Sequence, residues 1–159
     1  MSARQVYSVV FAVVFSIFLI CGAATAGVVY ELSSDSTYYQ GCVAPCECPI
    51  GIIGQMTGTF RLSPLRPTPL FNQYRLAYIS WRVVDPNGHV VHRITGGGIY
   101  QVGSGVRQLI LDLRVDGNPM HFNSGLIQDD SQSPIISITV DRGTQCFDIL
   151  LDVVADPIK

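Results

Sequence analysis

The strongest constraint on the fold is an alternation of apolar and polar residues with a period of two. In residues 107–115 the apolar row consists of Leu109, Leu111, Leu113 and Val115, and the positions between them are mostly polar. Successive side chains of a β-strand point to opposite faces, so this pattern is typical of a strand with one buried face. No stretch after residue 26 sustains the 3.6-residue period of an amphipathic helix. The sequence therefore predicts an all-β fold.

The same alternation predicts further strands. Residues 74–84 place Ala77, Ile79, Trp81 and Val83 on one face, and the opposite row also contains apolar residues, which predicts a strand covered on both sides. Two more alternating rows are Ile136, Ile138 and Val140, and Phe147, Ile149, Leu151 and Val153. Shorter strands are predicted at 28–32, 56–62, 89–94 and 99–102.

Turn-forming residues separate these segments. The stretch Asp85-Pro86-Asn87-Gly88 has Asp, Pro and Gly where a type I turn favours them, and Asp116-Gly117 follows the strand at 107–115. About eight short strands joined by such turns predict a single-domain antiparallel β-sandwich or flattened barrel. The immunoglobulin pattern does not fit, because Trp81 is far in sequence from the cysteines on either side of it.

The first 26 residues have the features of a secretory signal. Arg4 precedes a long uncharged stretch with an apolar centre, and Ala24-Thr25-Ala26 supplies the small residues that signal peptidase recognises. We expect cleavage after Ala26, with residues 27–159 as one exported domain. The alternative is an uncleaved N-terminal anchor, which would be the only membrane contact and would still place the rest of the chain outside. We therefore expect a secreted, periplasmic or cell-envelope protein.

Cysteine spacing favours disulfide bonds over a metal site. Four cysteines follow residue 26, namely Cys42, Cys46, Cys48 and Cys146. An even number in an exported chain predicts two disulfides, whereas zinc sites are built from Cys-x2-Cys pairs that this chain lacks. A bridge between the near neighbours Cys46 and Cys48 would strain the disulfide geometry. Two connectivities remain, Cys42–Cys46 with Cys48–Cys146, or Cys42–Cys48 with Cys46–Cys146.

Charge and glycine patterns give no support to a nucleotide or nucleic-acid function. The net charge is −2, the only lysine is Lys159, and no basic run occurs in the sequence. The glycine-rich segment 96–105 lacks the lysine of a phosphate-binding loop and is followed by a predicted strand instead of a helix, so it is interpreted as turns flanking a short strand. We expect no cofactor, no bound metal and no nucleic-acid partner.

The residues that could support catalysis are few. Asp112, Asp148 and Asp152 occupy outward positions of two predicted strands, and a pair of carboxylates at a suitable separation can hydrolyse a glycosidic bond. The alternative interpretation, which we favour, is a solvated strand face. His89 and His92 are three residues apart, which puts them on opposite faces if both lie in one strand and disfavours a shared metal.

The order of several short motifs resembles a family of small secreted bacterial proteins of uncharacterised function. These motifs are GCVAPCECP, YISWRV, GIYQVG, LILDLRVDGNP, FNSG and CFDILLDVVA. The resemblance covers residues from about Cys42 to Ala155, and the cysteine cluster with the late Cys-x-Asp is its most specific part. It implies export and one β-rich domain, and it assigns no catalytic residues.

Two functions follow as hypotheses. The first is an exported, non-catalytic β domain with a binding or structural role in the cell envelope or outside the cell, and its ligand would be a protein or a glycan. The second is a small secreted hydrolase that uses Asp112, Asp148 or Asp152. A deep cleft in which these carboxylates converge would favour the second.

Overall fold

A computed structural model describes residues 27–46, 51–128 and 134–159 and shows ten β-strands. They are β1 Val28–Leu32, β2 Thr37–Cys42, β3 Gly51–Pro64, β4 Asn72–Val84, β5 Val90–Gly103, β6 Val106–Val115, β7 Asn118–Asn123, β8 Ile127–Gln128, β9 Ile136–Asp141 and β10 Phe147–Pro157. In these ranges no helix is long and apolar enough to cross a bilayer. The predicted signal segment, residues 1–26, lies outside the described residues. The predicted all-β class is confirmed.

All ten strands belong to one antiparallel sheet, which closes into a ring without forming a barrel. Strands β3 to β7 follow one another as a meander, and β10 pairs with β1, β2 and β9 on the other side of the ring. The ring closes where β7 meets β9, through the single described pair Asn123 and Asp141. Two walls result: β3–β7 on one side and β1, β2, β10 and β9 on the other.

The inward faces of both walls form one hydrophobic core. Trp81 is 1% exposed and packs edge-on against Phe60, which stacks on Tyr30 of the neighbouring strand β1. The predicted rows of β6, β9 and most of β10 are buried as expected. Each fully buried side chain of this size contributes about 1.5–3 kcal/mol, so the core is the main source of stability.

The prediction for β4 is right for Ile79, Trp81 and Val83 and wrong for Ala77. The core residue before Ile79 is Leu76, because Ala77 and Tyr78 together oppose Gly97 in a β-bulge that shifts the pattern by one residue. The prediction of cover on both sides is also wrong, since Tyr78 is 77% exposed. The outer face of β4 is therefore open to solvent.

The glycine-rich segment is a long strand, and only its end is a turn. Gly96 and Gly98 lie inside β5, and a Cβ atom at either position would meet a backbone oxygen of β6 at 2.3 or 2.2 Å. The interpretation of Gly96–Gly98 as a turn is therefore wrong. These glycines allow β5 and β6 to approach closely.

A disulfide joins Cys46 to Cys146, with the two Cα atoms 5.0 Å apart. The bridge ties the loop after β2 to the residue before β10, where the Val43 N–H also donates to the Cys146 carbonyl at 3.2 Å. This agrees with the second predicted connectivity. Cys42 is disulfide-bonded as well, and its predicted partner Cys48 lies outside the described residues.

The start of β10 departs from the predicted alternation. Phe147 is 49% exposed although the pattern places it inward, and Asp148 is 3% exposed although the pattern places it in solvent. The loop that carries the disulfide folds back over Asp148, and the Thr144 N–H donates to its carboxylate at 3.0 Å. Cover by this loop, which alternation does not report, explains the burial of Asp148.

Candidate functional site

The three candidate catalytic carboxylates have separate partners. Asp112 on β6 faces His121 of β7, with 2.8 Å between the carboxylate and Nδ1. Asp152 on β10 accepts hydrogen bonds from the hydroxyls of Thr37 and Thr139 at 2.8 and 2.6 Å. Among the described hydrogen bonds none links Asp112, Asp148 or Asp152 to another of the three. Asp112 lies on one wall of the ring and the other two lie on the opposite wall.

Each histidine is next to an aspartate. His89 is in the turn after β4 beside Asp85, and His92 is inside β5 with Nδ1 2.6 Å from the carboxylate of Asp116. The predicted common strand is therefore wrong for His89, which precedes the first residue of β5. Across residues 27–46, 51–128 and 134–159 no three metal-ligating side chains come together.

The His92–Asp116 pair links the start of β5 to the turn after β6. The ring of His92 lies 5.0 Å from that of Tyr38 on β2, and the Arg93 N–H donates to Asp116 at 2.8 Å. The hydrogen bond from His92, followed by that from Arg93, lowers the pKa of Asp116 below its usual value. Burial raises the pKa of Tyr38 to about 12, so its hydroxyl stays protonated and donates to Gln40.

Stability should fall in acid because of Asp116. A carboxylate whose pKa is lower in the folded state stabilises the fold above its unfolded pKa, and this stabilisation is lost as pH falls through the folded pKa. Asp116→Asn keeps the left-handed backbone, which Asn tolerates, but cannot titrate. We expect the stability difference between wild type and Asp116→Asn, measured by urea unfolding, to shrink by about 1 kcal/mol or less between pH 6 and pH 2.5, since exposure screens the pair. If the difference in unfolding free energy between the two proteins is the same at both pH values, the pKa of Asp116 is not lowered in the folded state.

Two surface depressions are lined by described residues. The larger, about 550 Å³, is lined by Ile53, Val84 and Pro86 near the β4–β5 turn. The smaller, about 340 Å³, is lined by Asp35 of the β1–β2 loop, by Arg107 of β6 and Ile127 of β8, and by residues of β9 and β10 that include Asp152. Neither brings two of the three candidate carboxylates together.

Tyr78 is the most exposed aromatic side chain on the outer face of β3–β6. It is 77% exposed, and its φ of 56° places the backbone in the left-handed region. The guanidinium carbon of Arg61, on β3, lies 5.5 Å from the centre of the Tyr78 ring. Gly97, which opposes the bulge, adds no side chain to the surface. The exposed Tyr78 ring and the Arg61 guanidinium that contacts it are here called the Tyr78 platform.

Five exposed arginines lie on the same outer face as Tyr78. Each strand from β3 to β6 carries at least one exposed arginine at an outward position, and these are Arg61, Arg75, Arg82, Arg93 and Arg114. In the described part of the chain, no carboxylate forms an ion pair with any of the five. The outer face is therefore basic although the net charge of the protein is −2.

A row of four amide side chains crosses the same face from β4 to β7. The Gln73 amide donates to Gln101 at 2.9 Å, Gln101 donates to Gln108 at 2.7 Å, and Gln108 donates to Asn123 at 2.9 Å. Each group is half-buried and retains hydrogen-bonding capacity beyond these contacts. The amide row therefore places neutral hydrogen-bond donors and acceptors on the same outer face as the arginines.

None of these surface groups was singled out from the sequence. The arginines are scattered over more than fifty positions, from 61 to 114, so no basic run marks them. Only the pairing of β3 to β6 brings them onto one surface. The available signal was that each arginine occupies an outward position of its predicted strand. This signal shows that the arginines share one surface only when the order of the strands is known.

The chain matches no family model, no curated protein and no solved structure.

Proposed function

We propose that the protein is an exported, non-catalytic β module that binds a glycan on the outer face of strands β3–β6. The observation that carries this proposal is Tyr78, a 77% exposed tyrosine in the left-handed backbone region. A bulky residue in that region costs about 1–3 kcal/mol, and glycine or asparagine would avoid most of the cost. The Tyr78 ring stabilises no part of the core, so a contact with another molecule accounts for its presence at this strained position.

The chemistry around Tyr78 suits a sugar. A pyranose ring has an apolar C–H face, which packs on an aromatic ring, and a rim of hydroxyls, which need donors and acceptors. The hydroxyl of Ser80 and the guanidinium of Arg75 face outward from the same strand as Tyr78. The amide row adds further groups of both kinds.

Export and the absence of catalysis are parts of the same proposal. A disulfide that closes a 100-residue separation is typical of proteins in oxidising compartments. The candidate carboxylates Asp112, Asp148 and Asp152 each hydrogen-bond to other groups, which favours binding over glycoside hydrolysis. The hydrolase hypothesis remains the alternative that the experiment must test.

The experiment presents immobilised dextran, chitin oligosaccharides, alginate and heparin to the disulfide-bonded protein, and then measures the size of each glycan after incubation. We expect at least one glycan to bind and to keep its length. Tyr78→Asn should lower its affinity while raising the free energy of unfolding by about 1 kcal/mol, because asparagine suits the backbone there. Phe147→Ala, which removes an exposed aromatic ring from the opposite wall, should leave binding unchanged.

Two results would contradict the proposed function. If no glycan binds, or if Tyr78→Asn and Phe147→Ala bind as wild type does, the outer face is not the binding surface. If a bound glycan is shortened, and Asp152→Asn prevents the shortening, the hydrolase alternative is correct.

A further inference from the structure

We infer that the glycan is a polyanion, and that Arg82, Arg93 and Arg114 bind its charged groups. This inference rests on the proposed function and specifies the class of ligand. The three residues, here called the arginine triad, lie on neighbouring strands β4, β5 and β6.

Strand register places two of these arginines directly opposite each other. Arg82 pairs with Arg93 across β4 and β5, and both point outward because Trp81 and Ile94 beside them point into the core. Facing residues of antiparallel strands have Cβ atoms about 4.5–5.5 Å apart, and like charges at such positions destabilise the sheet. Arg114 pairs with Thr95, so it is the diagonal neighbour of Arg93 on the same face.

Within the described residues this concentration of charge is offset only in part, because the charge of Arg93 acts on the Asp116 carboxylate and helps to lower its pKa. Asp116 is also hydrogen-bonded to His92 and to the Arg93 backbone N–H, and Asp112 is paired with His121. In the described ranges neither makes an ion pair with a triad guanidinium, and Arg114 has only a 3.4 Å contact to the Gly117 carbonyl. Three adjacent guanidinium groups that form no ion pair with a described carboxylate are explained by an anionic ligand.

The type of cation points to oxyanions. After residue 26 the chain has eight arginines and one lysine, and that lysine is the last residue. The planar guanidinium group donates two parallel hydrogen bonds to a carboxylate, phosphate or sulfate group, whereas a lysine ammonium offers a point charge without this geometry. The triad therefore suits sugars that carry such groups.

The triad and the Tyr78 platform are parts of one surface. Arg82 of the triad and Tyr78 both lie on β4, and between them Ser80 and Thr95 pair across β4 and β5 and point outward. The opposite wall has the other sign of charge, since Glu31, Asp141 and Asp156 are exposed on β1, β9 and β10. An anionic chain is thus attracted to the β3–β6 face and repelled by the other wall.

The test measures binding of heparin and alginate, as sulfated and carboxylated polysaccharides, and of dextran as a neutral one. We expect Arg82→Gln/Arg93→Gln/Arg114→Gln to lower the affinity for heparin or alginate at least about tenfold and to reduce its salt dependence. The matched control Arg66→Gln/Arg142→Gln/Lys159→Gln removes the same charge from exposed positions elsewhere and should change affinity less than about twofold.

A second readout separates a binding role from a structural one. Because Arg82 and Arg93 repel each other, Arg82→Gln should raise the unfolding temperature slightly while it lowers affinity for the polyanion. If the triple glutamine variant does not fold, Arg82→Lys/Arg93→Lys/Arg114→Lys keeps the charge and is expected to lose part of the affinity, because the paired hydrogen bonds are lost.

Several outcomes would overturn the inference. If the triad variant and the control variant lose the same affinity for heparin or alginate, the net charge of the protein determines binding and the position of the arginines does not. Equal affinity for dextran would leave glycan binding intact but refute the polyanion, whereas failure of every glycan to bind would refute the proposed function itself. Equal affinity for single-stranded oligo-dT would refute a preference for polysaccharide. Salt-sensitive self-association of the protein alone, abolished by the triad variant, would identify a second copy as the partner.

Discussion

Replacing Cys46 and Cys146 together by serine should lower the free energy of unfolding by about 3–5 kcal/mol. The bridge spans 100 residues of sequence, and cross-linking so long a loop removes much of the conformational freedom of the unfolded chain. The double replacement avoids the unpaired thiol that Cys146→Ser alone would leave, which would be prone to intermolecular bridging. Urea unfolding of the two proteins under non-reducing conditions measures the difference.

The matched comparison is wild type with and without a reductant. If the bridge acts through the unfolded chain, the reduced wild-type protein should unfold at a urea concentration close to that of the serine variant, or lower if the bond of Cys42 is also lost. A loss below about 1 kcal/mol in the serine variant would mean that the bridge contributes little and that the core alone determines stability.

The second large effect is expected at Gly96, inside β5. Gly96→Ala should destabilise the protein by about 3 kcal/mol or more. A Cβ atom there would lie 2.3 Å from the Asp112 carbonyl oxygen, and the φ of 146° is one that other residues rarely adopt. The obstacle is a backbone atom, so no side-chain rotation relieves it, and β5 and β6 would have to separate at this position.

Gly88→Ala provides the matched control. Gly88 also has a positive φ, of 86°, but a Cβ atom at this turn position meets nothing within 4 Å. It should therefore cost only about 1 kcal/mol, the price of the backbone conformation. Thermal unfolding followed by near-ultraviolet circular dichroism compares the two. Equal losses would contradict the close approach of β5 and β6.

Alternation predicted most of the core because a period of two is a local property of a strand. Leu109, Leu111 and Leu113 are buried as that period requires. It failed at Ala77 because a bulge inserts one residue, and a bulge has no fixed sequence signature that alternation detects. It failed at Asp148 because cover by a loop depends on where the Cys46–Cys146 bridge holds that loop.

The candidate site was much less predictable than the core. Arg82 and Arg93 are eleven positions apart, and their opposition depends on the register of β4 against β5, including a bulge near the hairpin turn. Tyr78 looked like an apolar residue of a strand covered on both sides, whereas the bulge turns it into solvent. The facing arginines and the left-handed backbone of Tyr78 each lower the stability of the isolated fold, which is consistent with a surface that binds another molecule.

The central claim is that the outer face of β3–β6 is the binding surface. The most direct test is a titration of ¹⁵N-labelled protein with a heparin-derived oligosaccharide, followed through amide chemical shifts. The claim predicts that the largest shifts occur around Tyr78, Arg82, Arg93 and Arg114, with residues of β10 such as Asp152 unaffected. Shifts concentrated around Asp152 and the pocket beside β9, with those four residues unchanged, would contradict it.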